Sequence, residues 1–60
     1  MTDKDRRLTH HVLQLLDETE GYSDAMSYVE EVMCDLAGEG VEVSLEEVAA
    51  EIKKQCGRSA

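Results

Sequence analysis

Sixty residues carry fourteen Asp and Glu against six Lys and Arg, a formal charge of −8 on a 6.7 kDa chain. Such a chain has room for one domain, taken as residues 1–60, and for no elaborate catalytic cleft. A domain of this size buries only about 60% of its unfolded surface, so a partner or a second copy would add to its stability.

The acidic balance excludes the clustered Lys and Arg that phosphate contacts need, and it disfavours docking on anionic membranes. No apolar run approaches the roughly 20 residues of a spanning helix. Met1-Thr2-Asp3-Lys4-Asp5-Arg6-Arg7 leads into an amphipathic segment rather than a secretory signal. The expectation is a soluble cytoplasmic protein. Cys34 and Cys56 form no CxxC motif and are too few for a disulfide framework, which suits free thiols in a reducing compartment.

The absence of proline and the 33% of charged residues favour helices. Thr2 followed by Asp5 is a loose form of the capping box. Leu8, Val12, Leu15 and Leu16 then recur at helical spacing, which predicts a first helix over about 3–20 with Gly21 as a left-handed C-cap. Ser23 is placed to cap a second helix over about 24–37. At 100° per residue, its Ala25, Val29, Val32 and Leu36 share one face. Met26, Met33 and Ala37 widen that face on one shoulder, while Glu30, Glu31 and Cys34 point away. Gly38 and Gly40 end the segment.

Ser44-Leu45-Glu46-Glu47 is a full capping box, with Val43 and Val48 as its hydrophobic staple. The third helix runs from it to about Gln55, burying Leu45, Val48, Ala49, Ile52 and Cys56. Gly57 is its expected stop, and Arg58-Ser59-Ala60 is expected to fray. The pattern as a whole predicts an all-α, three-helix domain with short connections.

Few residues suggest chemistry. His10, His11, Cys34 and Cys56 are zinc-ligand types, but the two adjacent His diverge by about 100° on a helix and the two Cys face opposite ways. They read as solvated imidazoles, one exposed thiol and one small core residue, so no metal site is assigned. The adjacent pairs Asp17/Glu18, Glu30/Glu31 and Glu46/Glu47 aim apart on a helix and read as solvated faces. Gly38-Glu39-Gly40 places a carboxylate where a phosphate would be repelled. A Cys-His nucleophile needs an oxyanion hole that short helices rarely build. No catalytic residue, no cofactor and no enzyme activity is expected.

The charge order says more. Lys4, Arg6 and Arg7 lie near one end and Lys53, Lys54 and Arg58 near the other. Residues 8–52 contain no Lys or Arg and twelve of the fourteen acids, all but Asp3 and Asp5. A one-sign block of this size attracts a basic surface, although surface acids also serve solubility alone. The residues expected to meet a partner are Glu30 and Glu31, with Met26 and Met33 on the adjoining shoulder, because methionine adapts to irregular surfaces. More often such residues, here Met26 and Met33 with Leu13 and Leu16, simply complete a thin core.

Two family resemblances extend this reading. Asp24-Ala25-Met26, Val29-Glu30-Glu31-Val32-Met33 and Gly40-Val41-Glu42-Val43 resemble the second and third helices of acyl carrier proteins. Those carry phosphopantetheine on a serine whose place Ala25 takes here, so the resemblance implies a degenerate carrier. Met26-Ser27-Tyr28-Val29-Glu30 and Glu47-Val48-Ala49-Ala50-Glu51-Ile52 are similar, over about half the chain, to the late-transcription coactivators of T4-type bacteriophages. That likeness implies docking on a host RNA polymerase. The hydrophobic tail with which those proteins bind the sliding clamp has no counterpart in Gln55-Cys56-Gly57-Arg58-Ser59-Ala60. The expected function is a small acidic protein-binding regulator or adaptor without direct nucleic-acid contact. The alternatives are the degenerate carrier and a nucleic-acid mimic that inhibits a basic protein. A DNA-reading helix-turn-helix is disfavoured by Glu46, Glu47 and Glu51 on its would-be recognition helix.

Overall fold

The computed structural model describes the backbone of residues 2–59 and the side chains of residues 2–57. Four helices follow one another: α1 (Asp3–Glu18), α2 (Tyr22–Met26), α3 (Val29–Gly38) and α4 (Leu45–Ser59). The all-α class is as expected, and no strand occurs among the described residues. The count of helices is corrected from three to four. Among the described residues no helix is long and apolar enough to cross a membrane.

α1 starts as its cap dictates: Thr2 Oγ1 accepts the Asp5 amide at 3.1 Å. It stops two residues early because Thr19 is extended (φ −116°, ψ 165°) and its hydroxyl donates to the Leu15 carbonyl at 2.9 Å. Gly21 therefore does not close α1. It takes φ +140° as the residue before α2, a backbone state that suits glycine. Ser23 caps nothing and lies inside α2, while Asp24 Oδ2 accepts the Glu20 amide at 3.1 Å.

The expected second helix is broken at Ser27-Tyr28, and Ser27 supplies the reason. Its hydroxyl donates to the Ser23 carbonyl at 3.4 Å, the acceptor that an unbroken helix would offer to the Ser27 amide. That amide turns instead to Asp24 O at 3.1 Å, and the Tyr28 amide to Ala25 O at 3.0 Å, both in the tighter i→i−3 pattern. The bend keeps the helical sense, so Ala25, Val29, Val32 and Leu36 still reach one core.

α3 ends in a Schellman closure. Gly40 (φ +82°) donates to Ala37 O at 3.0 Å and Val41 to Leu36 O at 2.8 Å, with Val41 packed on the core. The capping box of α4 is complete: Glu47 N donates to Ser44 Oγ at 3.1 Å, and Ser44 N to Glu47 Oε1 at 3.3 Å. Val43 and Val48 both pack inward as the staple requires.

α4 does not stop at Gly57 but continues to Ser59, so Arg58 and Ser59 are helical where fraying was expected; Ala60 lies outside the described residues. Glycine permits a left-handed stop without imposing one. The residue directly after Gly57 is Arg58, whereas apolar Val41 follows Gly40 and pins its closure.

The core is Leu8, Val12, Ala25, Val29, Val32, Leu36, Val48 and Ile52, drawn from all four helices. α4 packs against each of the other three. Leu45 was expected in this core but is 49% exposed, because the first residue of α4 lies a turn short of it. Gln55, only 6% exposed, occupies the next inward position after Val48 and Ile52. Its amide donates to Glu51 Oε2, which also accepts the Thr9 hydroxyl of α1 at 3.2 Å.

Candidate protein-docking site

The N-terminal basic residues fold back on the acidic block. Arg7 Nη1 lies 2.8 Å from Glu39 Oε1 while its Nε bonds Asp3 Oδ2 at 3.0 Å. Lys4 Nζ lies 2.8 Å from Glu47 Oε2. His11 Nε2 sits 2.6 Å from Glu39 Oε2; an ionised carboxylate only accepts, so the ring nitrogen donates. His11 is thus no solvated imidazole: its side chain is 17% exposed and joins α1 to the end of α3. His10 remains exposed.

These contacts shift the carboxylates in one direction. Glu39 is held below its ordinary value, first by the hydrogen bond from His11 and then by that from Arg7. Glu47 is lowered first by Lys4 and then by the backbone amide of Ser44. Lys4 is raised by Glu47, and Arg7 by Glu39 and then Asp3. Glu39 and Glu47 are therefore charge-compensated.

The acids between α1 and α3 are not. Since Arg7 and His11 of α1 meet Glu39 at the end of α3, the two helices run antiparallel, and a groove of about 390 Å³ lies between them. Leu15 and Val32 lie inside it, Tyr28 stands at the start of α3, and Glu18, Glu31 and Asp35 line the sides. Among the described residues none of these three acids has an ion-pair partner, and neither have Asp17, Glu20, Asp24 or Glu30.

The four residues expected at a partner site do not form one cluster. Glu31 lines the groove; Glu30 is exposed beside it, and both lie in the first turn of α3. There, negative charge also complements a helix start that has no side-chain cap. Met26 is on α2 and Met33 on α3, both half-buried against the core. Leu16 is likewise half-buried, whereas Leu13 is exposed. Sequence reasoning missed Glu18, Tyr28 and Asp35. The spacing of Tyr28, Glu31 and Asp35 at three and four residues was the available signal, but the pairing with α1 was not.

Cys34 is exposed and Cys56 half-buried, both as free thiols. Ala25, in the place of the carrier serine, is fully buried, and Ser23 and Ser27 are exposed. No group of three or more His, Cys, Asp or Glu that could hold a metal ion occurs among the described residues. No protein-family model, curated protein or solved structure gives a significant match to this chain.

Proposed function

We propose that this chain is a small, non-catalytic protein-binding regulator or adaptor that docks on a basic protein surface through the acidic α1–α3 side. The segregation of charge supports this reading. Lys4 and Arg7 are spent on Glu39 and Glu47, which leaves Asp17, Glu18, Glu20, Asp24, Glu30, Glu31 and Asp35 without an ion-pair partner among the described residues. A host RNA polymerase is the partner that the coactivator resemblance of Met26–Glu30 and Glu47–Ile52 suggests.

The test is affinity capture from a lysate of the native host, run in parallel with the parent and the Glu30→Gln/Glu31→Gln chain. The expected result is a protein with a basic surface that the parent retains and the double variant loses. Equal retention by both chains would overturn the reading for this face.

A further inference from the structure

The α1–α3 groove combines two kinds of surface. Its lining is mostly polar, with a small apolar strip where half-buried Leu15 lies beside buried Val32. Tyr28, Glu31 and Asp35 follow one another at three and four residues along the same side of the chain, facing Glu18 across the groove. Tyr28 is 41% exposed although it is one of the largest apolar side chains present. Among the described residues neither surface has a partner: the three carboxylates have no cation and the ring is 41% exposed.

An occupant that satisfies both must be cationic at its tip and apolar along its stem. A second copy is a poor match, because each chain brings a net charge of −8. Arginine fits better than lysine, since a planar guanidinium bonds carboxylates as a fork and also stacks on an aromatic face.

We infer that this groove receives an arginine side chain from an extended basic segment of the protein partner, the guanidinium held by Glu31 and Asp35 beside the Tyr28 ring and the methylene stem lying along Leu15 and Val32. The inference rests on the acidic side being a docking surface and adds to it the residue that is recognised.

The experiment is a titration of the full isotope-labelled chain, followed by NMR at low ionic strength. The probes are a doubly capped Gly-Gly-Arg-Val-Arg-Gly-Gly peptide and its lysine counterpart. Shifts should concentrate at Leu15, Glu18, Tyr28, Glu31 and Asp35. The arginine peptide should bind about two- to fivefold tighter than the lysine peptide, the range of an exposed cation–π contact. Glu31→Gln/Asp35→Asn should weaken binding severalfold, whereas Glu42→Gln/Glu46→Gln, outside the groove, should leave it unchanged. Tyr28→Leu, which keeps bulk without a ring, should reduce the preference for arginine to what the carboxylate fork supplies, and circular dichroism checks each fold. Equal weakening by the two acid pairs, or no preference for arginine in the parent, would overturn the groove assignment while leaving general acidic docking in place. Failure of both peptides to bind at low salt would overturn both.

Discussion

Ile52 and Leu45 sit seven residues apart on α4, on nearly the same helical face, and the structure treats them oppositely. Ile52 is fully buried, and Leu45 is half exposed at the first turn. Truncating a fully buried Ile removes transfer energy and leaves a cavity, so Ile52→Ala should cost about 2–5 kcal/mol. Leu45→Ala should stay within about 0.5 kcal/mol, as surface changes usually do. Urea denaturation of both variants checks this, and equal losses would place Leu45 in the core after all. The contrast marks what was legible residue by residue. The stripe Ala25, Val29, Val32 and Leu36 could be read from periodicity because all four lie in helix interiors or beside a gentle bend. Leu45 could not, since periodicity gives direction around a helix but not distance from the core along it. Gln55 was passed over because its side chain is polar, although its spacing from Val48 and Ile52 is that of a buried position.

At the scale of elements, the termini show where local chemistry decides and where it only permits. Ser44 and Glu47 satisfy each other's backbone amides, so Ser44→Ala should destabilise the chain by about 0.5–2 kcal/mol. The two late glycines should respond in opposite senses. Gly40 has φ +82°, where an added Cβ is strained, and Gly40→Ala should cost about 1–2 kcal/mol. Gly57 lies inside α4 with open space around a Cβ, and Gly57→Ala should stabilise by up to about 1 kcal/mol. Thermal melts of the three variants test these signs, and a destabilised Gly57→Ala chain would show that α4 does not continue through Gly57. The boundary of α4 at Ser44 was legible because both halves of its cap are adjacent in sequence. The break at Ser27 was not: serine is compatible with either continuing a helix or capturing a carbonyl, and only the packing of Ala25 and Val29 together decides.

For the whole molecule, charge is arranged by the fold and not by sequence order alone. The twelve acids of residues 8–52 form one block in the sequence, yet Glu39 and Glu47 are withdrawn from it by Arg7, His11 and Lys4. The sequence showed the excess of acid but not which acids remain unpaired, because those pairs span 28 to 43 residues of chain. The pairing has a definite pH signature. Glu39 and Glu47 have folded values below the ordinary 4.5, so their contribution is present above about 4.5 and is lost as the pH falls through the lower folded values. Lys4, raised above 10.5, loses its contribution only as the pH rises through its higher folded value. Glu39→Gln/Glu47→Gln should therefore be less stable than the parent at neutral pH, with the gap narrowing as the pH falls below 4.5, in denaturation curves taken across that range. The Gln at position 47 retains the capping geometry, which isolates the charge. A gap that persists unchanged in acid would assign the loss to packing.

The central claim is that the unpaired acids of the α1–α3 side steer this chain to a basic partner. Glu30 and Glu31 are exposed, and neutralising both should leave the fold in place at a cost of roughly 0.3–1 kcal/mol each from the start of α3. The decisive measurement is the association rate of the captured partner with the parent and with Glu30→Gln/Glu31→Gln, each at low and high ionic strength. Steering predicts that the parent associates several times faster at low salt, that added salt slows it, and that the double variant is slower at low salt and less sensitive to salt. An association rate that is independent of salt and equal for the two chains would contradict the claim.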